Sequence, residues 1–421
     1  MSVQNLNIAF IGAGPAGLSA ALFLNRSEHA VTVFDQFQEP QPLGSGLMLQ
    51  QTGLEVLRRL NLLDQMHSLG RRVTCIRGFE AGSKRSVLDV RYTALHDENY
   101  ALAVHRGALF NLLHQAVLAD GIPIVPGAEI VEVNCQAKSR PVLVSKDGRP
   151  FDGFDLVVDA SGANSTVRDQ SVPILNRHHL SYGALWATLE TVPGDLADGE
   201  LLQCYRRASK MIGVLPVGQT HESSSDLTTF FWSLKVADYD DWRQAGLDVW
   251  KDEVRALWPE VEPYLDQIVD PDQLVLARYS HHTVWKPWHG RLVLIGDSAH
   301  ATSPQLGQGA NMALLDALVL SEALSRSSSI EEGLSGYALR RRRHLQLFQA
   351  LSRMFTPFYQ SDSVALPFIR NWLAAPLLGV PPVPRLLAHM ISGTLINPFH
   401  DGQLDFGHHP VWTDRTSTHQ F

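Results

Sequence analysis

Residues 7–17 read NIAFIGAGPAG, and this stretch decides the fold. Its apolar beginning predicts a β-strand, and the spacing of apolar residues after it predicts a helix over 18–25. A glycine-rich turn between a strand and a helix lets a pyrophosphate approach the backbone and meet the positive end of the helix dipole. The candidate cofactor-binding residues of this turn are Gly12, Gly14, Ala16 and Gly17.

A second apolar run, at 30–34, predicts the next strand, and Asp35 follows it directly. Asp35 stands roughly 20 residues after Gly12, near the position at which a βαβ unit places a carboxylate against a ribose hydroxyl. Strand, turn, helix, second strand and terminal acid together indicate a site for an adenine dinucleotide. They leave open whether that dinucleotide is NAD or FAD.

Composition narrows the class of protein. A chain of 421 residues suggests two interlocked domains, or one large domain with a substrate-binding lobe. A net charge of −8 offers no basic surface for nucleic acid. The three cysteines are too widely spaced for a disulfide framework or a CxxC site, so we expect a cytoplasmic protein. The proline-broken apolar segment Ser363–Leu395 is predicted to contact a membrane peripherally at most, because no run is long enough to span one.

A second glycine-rich turn lies at 296–311, which reads GDSAHATSPQLGQGAN after a predicted strand at 290–296. It strongly resembles the GDxxHxxxPxxGxGxN signature of group A flavoprotein monooxygenases, the para-hydroxybenzoate hydroxylase-like family, which includes ubiquinone-biosynthesis hydroxylases. The resemblance implies that Asp297 binds the ribityl chain of FAD and that the following loop covers the flavin ring. It also implies that Pro304 borders the oxygen site, as the candidate catalytic residue. Further cofactor-binding candidates here are Gly307, Gly309, Ala310 and Asn311.

Other segments resemble the same family less completely. Residues 155–168, DLVVDASGANSTVR, resemble its middle motif, but Ser161 replaces the family's aspartate and Asp159 stands where glycine is frequent. This departure puts the reductant in question more than it does FAD. Asp159 either serves the cofactors or is a strand-end carboxylate bonded within its own turn. By resemblance, Arg106 contacts the flavin phosphates and Gly46 lies in the loop beside the flavin ring.

The resemblance covers about residues 5–350 and implies an α/β fold: a Rossmann-like FAD-binding domain with an inserted β-sheet substrate domain and a C-terminal helical region. The predicted divisions are 1–171 and 288–406 for the FAD-binding domain and C-terminal helices, 172–287 for the sheet, and 407–421 for a flexible tail. Within the sheet, apolar patterns predict strands at 181–190, 211–217, 227–236 and 273–285, and a helix at 239–258. Its aromatic residues line either a substrate pocket or the sheet core, the latter being favoured: Trp186, Tyr205, Phe230, Trp232 and Tyr279.

The function that the resemblance implies is a monooxygenase reaction. NADPH or NADH reduces FAD, the reduced flavin captures O₂ as a hydroperoxide, and one oxygen passes to a phenolic or quinoid small molecule. Two alternatives remain: a non-oxygenating reductase or oxidase acting on an apolar ring, and a flavin-bound protein without turnover. No metal site is indicated, and His300 is predicted to make a structural hydrogen bond. The basic run Arg340–Arg343 is predicted to be solvated or ion-paired.

Overall fold

The computed structural model describes residues 3–398, apart from 40–44, 136–139, 175–176, 193, 195, 222 and 224. The tail predicted at 407–421 lies outside the described residues. In chain order the strands are β1 (Asn7–Ile11), β2 (Ala30–Phe34), β3 (Gly46–Leu49), β4 (Arg71–Val73), β5 (Cys75–Glu80), β6 (Ser86–Arg91), β7 (Ala101–His105), β8 (Ile124–Val125), β9 (Ile130–Asn134), β10 (Val142–Ser145), β11 (Pro150–Phe151), β12 (Leu156–Asp159), β13 (His178–His179), β14 (Tyr182–Glu190), β15 (Glu200–Arg206), β16 (Lys210–Gly218), β17 (Leu227–Lys235), β18 (Val275–Ala277), β19 (Ser280–His281), β20 (Trp288–His289) and β21 (Leu292–Leu294).

The helices complete the inventory of elements. The α-helices are α1 (Pro15–Asn25), α2 (Gln51–Arg59), α3 (Leu63–Leu69), α4 (Arg106–Ala119), α5 (Thr166–Ser171), α6 (Tyr239–Ala245), α7 (Leu247–Leu257), α8 (Glu262–Leu265), α9 (Gly309–Ser325), α10 (Ile330–Tyr359), α11 (Ala365–Ile369) and α12 (Val383–Ser392). The shorter turns include the 3₁₀ turns Gly296–Ser298, Pro304–Leu306 and Ala375–Leu377, and the π-helical turn Arg370–Ala374.

A six-stranded sheet forms the centre of the molecule, in the order β20-β21-β12-β1-β2-β8. The strand β1 pairs in parallel with β2 and β12, and β12 pairs in parallel with β21. Successive residues of β1 enter two different cores: Ile8 and Phe10 pack with the helices, and Ala9 and Ile11 pack on the opposite face. Because parallel strands end at one edge, the turns after β1, β12 and β21 meet there.

The second large sheet has seven strands, in the order β18-β14-β17-β16-β15-β5-β6. Three of the predicted strands are present as β14, β16 and β17. Two strands, β5 and β6, come from before residue 172, and β5 pairs in parallel with β15, which sequence reasoning missed. The sheet therefore draws strands from both sides of the predicted boundary, and the division into domains stays a prediction.

Two element predictions in this region are wrong in extent. The predicted helix at 239–258 is two helices, because Gly246 has φ +87° and ψ 162°, a conformation that only glycine adopts readily. The predicted strand at 273–285 begins in a 3₁₀ turn, where Asp270 and Gln273 form a capping box. The chain then makes only the short strands β18 and β19. Local backbone and side-chain hydrogen bonds overrode the apolar pattern at both places.

The seven-stranded sheet has two distinct faces. Its outer face packs against α7, and the fully buried Phe230 and Trp232 point there, towards Trp250. Its inner face includes Phe231 and shares a core with Leu306 of the second glycine-rich loop. The faces alternate along β17 because successive side chains of a strand point in opposite directions. The inner face thus lies against the edge of the molecule where the glycine turns meet.

Candidate functional site

The first glycine turn joins β1 to α1, as predicted. Gly12 has φ +99°, and a Cβ there would lie 2.7 Å from the carbonyl oxygen of Ala160. A Cβ on Gly17 would clash with the carbonyl oxygen of Gly12. Around Gly14, in contrast, a Cβ would meet no atom within 4 Å. Two glycines therefore serve close packing, and Gly14 faces open space that a ligand can enter.

Two helices begin at this edge without side-chain caps. Neither α1 nor α9 has a capping side chain or an acidic residue in its first turn. Their first N–H groups and positive dipole ends are therefore available to an electron-rich ligand. The two motifs are in contact, because a Cβ on Gly296 would lie 3.1 Å from the Cβ of Ala16. Gly309, which begins α9, faces open space as Gly14 does.

Asp35 is fixed at the end of β2. Its Oδ2 accepts a hydrogen bond from the N–H of Ala13 at 2.7 Å, and its Oδ1 accepts one from the N–H of Phe37 at 2.9 Å. The carboxylate is half-buried and keeps acceptor capacity towards solvent. It is thus bonded to the first glycine turn, in the arrangement that suits a ribose hydroxyl.

Asp297 and Arg106 bring opposite charges to the cleft. Solvent reaches Asp297, yet protein surrounds it, as expected of a residue on the floor of a cleft. Burial raises the pKa of the Asp297 carboxyl above its ordinary value, and the charges of His300 and Arg106 oppose that rise. The Arg106 side chain is exposed at the start of α4, and its backbone N–H donates to the carbonyl of Ser45 at 3.1 Å. An exposed guanidinium at this position can bind a diphosphate.

The middle motif supports the loop that carries Asp297. The Ser298 hydroxyl donates to the carbonyl oxygen of Asp159 at 2.7 Å, and the fully buried Arg168 donates to the carbonyl of Ser298 at 3.2 Å. The Asp159 carboxylate itself accepts hydrogen bonds from Ser161 and Ser165, the closest at 2.5 Å. Of the two interpretations of Asp159, the structure thus supports a carboxylate bonded within its own turn. Burial raises its pKa, and those serine hydrogen bonds oppose the rise.

Asn311 joins the second loop to the segment after β3. Its Oδ1 accepts from the N–H of Gln50 at 2.8 Å, and its Nδ2 donates to the carbonyls of Met48 at 3.0 Å and Gly307 at 2.9 Å. Gly53 must lack a side chain, because a Cβ there would clash with Asn311 Oδ1. One buried amide therefore sets the spacing of the two loops.

Gly46 places the beginning of β3 against the seven-stranded sheet. Its N–H donates to Oγ1 of Thr229 at 2.9 Å, and a Cβ on Gly46 would lie 2.5 Å from a methyl group of Val217. Glycine is required here by close approach. The contact also ties the cleft to the inner face of the sheet, on which Thr229 and Val217 lie.

A buried ion pair behind the second loop was missed by sequence reasoning. Asp316 accepts from Arg341 at 2.7 Å, from His300 Nε2 at 2.6 Å and from the N–H of Gly296 at 2.8 Å. The structural role predicted for His300 is confirmed, and Arg341 of the basic run is buried and ion-paired. The available signal was Asp316 itself, an acid with apolar residues on both sides in the helix pattern after Asn311.

Pro304 begins an exposed 3₁₀ turn at the mouth of the cleft. The preceding Ser303 is buried, and its hydroxyl is hydrogen-bonded to Ser352 at 2.9 Å and to Thr356 at 2.6 Å, both on α10. Leu306, at the end of the turn, packs into the core of the inner sheet face. The turn is therefore held at both ends, with Pro304 presented between them.

The predicted aromatic set divides between the two sheet faces. Trp186 and Tyr205 belong to the inner face, where the ring of Trp186 lies 4.6 Å from that of Phe231. Trp186 also donates a hydrogen bond to the hydroxyl of Tyr279 at 2.8 Å. Phe230 and Trp232 belong to the outer core and cannot line a pocket beside the cleft. Phe231 was missed, although alternation along its strand separates it from its neighbours.

Within the described ranges, no group of three or more His, Cys, Asp or Glu side chains is placed to hold a metal ion. The residue types that converge on the cleft are backbone N–H donors, carboxylates and one guanidinium. These groups suit the phosphates and hydroxyls of a dinucleotide.

Fold and cleft together define a dinucleotide-binding flavoprotein of Rossmann type. The chain belongs to the FAD binding domain family, whose family model matches residues 5–350. FAD is its cofactor, and the chain is an FAD-dependent oxidoreductase. The residues present fit FAD: Gly12 and Gly17 pack closely, Gly14 and Gly309 face open space, and the helices α1 and α9 begin without side-chain caps.

Curated relatives are FAD-dependent monooxygenases of aromatic compounds. The chain is 25% identical to 6-hydroxynicotinate 3-monooxygenase from Pseudomonas fluorescens, over 76% of this chain and 83% of the relative. It is 28% identical to kynurenine 3-monooxygenase from Salinispora tropica, over 84% of this chain and 80% of the relative. Its general kind of reaction is therefore that of the flavin-dependent aromatic monooxygenases.

A solved structure confirms the fold. HpxO from Klebsiella pneumoniae, complexed with FAD and uric acid, superposes with a TM-score of 0.76 at 19% identity. The superposition covers 93% of this chain and 98% of that one. The predicted α/β fold with a Rossmann-like FAD-binding domain is thus confirmed.

Proposed function

We propose that the chain uses NADPH or NADH and O₂ to hydroxylate an aromatic small molecule, phenolic or quinoid, at the mouth of the FAD cleft. One observation carries the proposal: Pro304 is exposed on the second glycine-rich loop, and Leu306 of the same turn packs in one core with the aromatic side chains of the inner sheet face. Bound FAD would supply the redox chemistry, accepting electrons from the nicotinamide and activating O₂. The chain's own residues would bind FAD, orient the substrate and exclude water from the reacting centre.

Each part of the cleft receives a role in this proposal. The first turn and the start of α1 hold the pyrophosphate, Asp35 binds the ribose, and Arg106 neutralises phosphate charge. Asp297 binds the ribityl hydroxyls, and the loop that Asn311 clamps covers the flavin ring. Pro304 borders the space where O₂ and the substrate meet. The proposed cofactor-binding residues are Gly12, Gly14, Ala16, Gly17, Asp35, Gly46, Arg106, Asp297, Gly307, Gly309, Ala310 and Asn311.

The inner face favours a flat, electron-rich substrate. Trp186, Phe231 and Tyr205 place ring surfaces on the inner face, and the polar groups of Trp186 and Tyr205 are already hydrogen-bonded to protein, which suits stacking with limited hydrogen bonding to a substrate. The substrates named for two relatives, kynurenine and 3-amino-4-hydroxybenzoate, are rings that carry amino or hydroxyl groups. A buried apolar surface also excludes water from the reacting centre. We therefore propose an amino- or hydroxyl-substituted ring as the substrate class.

The reductase or oxidase alternative rests on the middle motif. Ser161 donates its hydroxyl to Asp159 at 2.6 Å, so this turn is engaged with itself. Ser161 also replaces the family's aspartate, in a region that the family links to both flavin and nicotinamide contacts. A protein that reduces FAD by another route, without oxygen transfer, would be consistent with this observation.

The decisive experiment combines flavin reduction with product analysis. The flavin-loaded protein is mixed without oxygen with NADPH or NADH, with and without aminophenols and hydroxylated heteroaromatic acids, and bleaching of the flavin band is followed. We expect one aromatic class to speed bleaching and, with ¹⁸O₂, to gain one labelled oxygen per nicotinamide oxidised. Bleaching with no labelled product from any ring would favour the reductase or oxidase. A flavin that no nicotinamide bleaches would refute the proposed use of NAD(P)H.

A further inference from the structure

An exposed apolar surface occupies the C-terminal helical region. Its six large side chains are 49–62% exposed, and we call them the apolar C-terminal surface: Phe368, Trp372, Leu373, Leu377, Val380 and Leu386. Between 364 and 386, every exposed residue is apolar, glycine or proline except Arg385. The rings of Phe368 and Trp372 lie 6.2 Å apart, and exposed apolar patches of large side chains mark sites of interaction with proteins or membranes.

The segment is held in place by its polar side. Arg370 is buried and donates to Oε2 of Glu80 at 3.1 Å and to the carbonyl of Phe358 at 3.0 Å. The neighbouring Asn371 donates to the same Glu80 oxygen at 2.9 Å. Polar groups thus anchor the segment inwards while its apolar groups face solvent. This inverts the usual arrangement of an amphipathic helix on a protein core.

The apolar C-terminal surface carries exposed arginines. No Asp or Glu occurs from 363 to 398, whereas the whole chain carries −8. Arg385 is exposed within the segment, and the exposed Arg85 guanidinium lies 3.8 Å from the centre of the Trp372 ring. A tryptophan with adjacent arginines and large aliphatic side chains suits the boundary between lipid headgroups and acyl chains.

We propose that the apolar C-terminal surface docks on a membrane that contains anionic phospholipids. The alternative occupant, a second copy of this chain, is disfavoured by charge. A two-fold contact would bring like arginines together in a segment that has no acid to pair with them. An anionic bilayer instead attracts both arginines and accepts the apolar side chains. No described helix combines the length and the apolar composition that crossing a bilayer requires, so the contact is peripheral.

The test uses the full-length, FAD-loaded protein and vesicle sedimentation. Vesicles contain phosphatidylglycerol with phosphatidylcholine, or phosphatidylcholine alone. We expect the wild type to sediment with the first kind at low salt and much less with the second. The triple variant Phe368→Ser/Trp372→Ser/Leu373→Ser should bind roughly tenfold or more weakly. The matched control is Val249→Ser/Val269→Ser, which removes two exposed apolar side chains outside the apolar C-terminal surface and should bind as the wild type does.

A second variant, which keeps the apolar side chains, controls for misfolding of the triple variant. Arg85→Glu/Arg385→Glu leaves the apolar side chains in place and should lose the preference for anionic vesicles while keeping its FAD content. The proposal is overturned if the wild type stays in the supernatant with both vesicles, or if the triple variant binds undiminished. Self-association that disappears in the triple variant, without vesicle binding, would assign the surface to a second copy.

Discussion

The side-chain oxygen of Asn311 accepts a hydrogen bond from the backbone N–H of Gln50 at 2.8 Å, between residues 261 positions apart in the chain. The Nδ2 group of Asn311 donates to the carbonyl of Met48 in one segment and to the carbonyl of Gly307 in the other. A single buried side chain thereby fixes the two loops between which the flavin ring is proposed to lie. Without this side chain, the length of the loops would not fix the distance between them.

Replacing this clamp should weaken FAD binding. Asn311→Ala leaves the Gln50 N–H and two carbonyls without their partner, a loss of about 1–3 kcal/mol for each buried group left unsatisfied. We expect a higher FAD dissociation constant, measured by flavin fluorescence titration, together with a lower melting temperature. Asn134→Ala, at an exposed position of β9, is the matched control and should change neither. Unchanged FAD affinity in Asn311→Ala would remove the clamp from the cofactor site.

The Asp297 carboxylate should cost the apoprotein stability. Burial raises its pKa, so the folded chain holds this proton more tightly than the unfolded chain does. The free energy of unfolding therefore falls as pH rises above the ordinary value of 3.8. At neutral pH we expect the Asp297→Asn apoprotein to melt at a higher temperature than the wild type while retaining FAD less well. Asp152→Asn, in an exposed turn, serves as control. A variant that melts lower in the apo form would contradict this account.

The buried pair of Asp316 and Arg341 should behave in the opposite sense with pH. Burial alone raises the pKa of Asp316, but His300 and Arg341 outweigh it and hold the pKa at about 2. The stabilisation is thus complete above the ordinary value of 3.8 and is lost as pH falls towards about 2. Chemical denaturation across that window should show the wild type losing stability more steeply than Asp316→Asn.

At neutral pH the same pair allows a cycle of variants. Asp316→Asn leaves the Arg341 charge buried without its partner, which should cost about 3–5 kcal/mol of unfolding free energy. The double variant Asp316→Leu/Arg341→Met replaces both charges and should recover part of that loss. The single variants Asp316→Leu and Arg341→Met complete the cycle, and a double variant destabilised by the sum of the two single losses would show that the pair is not coupled.

Adjacent phenylalanines of β17 provide a matched test of the two sheet faces. Phe231→Leu alters the inner face, and Phe230→Leu alters the outer core. Each should lower the melting temperature, by the equivalent of roughly 1.5 kcal/mol or less. Only Phe231→Leu should change how strongly an aromatic substrate speeds flavin reduction, followed by stopped-flow absorbance. Equal effects of both substitutions on that stimulation would place the pocket elsewhere.

The two glycine turns were predictable because their information is local. Glycine, proline and acid at fixed spacing specify a strand, a tight turn and a helix start, and the structure has all three at residues 7–25 and again around 292–325. What lay beyond prediction depends on distant partners. Arg168 reaches the carbonyl of Ser298, and β5 pairs with β15, through contacts that no local pattern encodes.

The break at Gly246 shows a different limit. A period of apolar residues continues through it, so the pattern predicts one helix, whereas a single positive φ angle divides it into two. Phe231 was hidden in a similar way, because Phe230 and Trp232 beside it look equally suited to a pocket. Only the orientation of the strand assigns each ring to its face.

The parallel pairing of β12 with β21 has a consequence for biosynthesis. During translation β12 is complete more than a hundred residues before β21 leaves the ribosome, so one edge of β12 stays unpaired while the strands β14 to β18 of the seven-stranded sheet are being made. Asp297, on the floor of the cleft, and Asn311, which clamps the loop proposed to cover the flavin ring, also leave the ribosome late. With the proposed site, FAD would be held tightly only after synthesis has passed these positions, and yellow colour in a shortened product would report that β21 has docked beside β12.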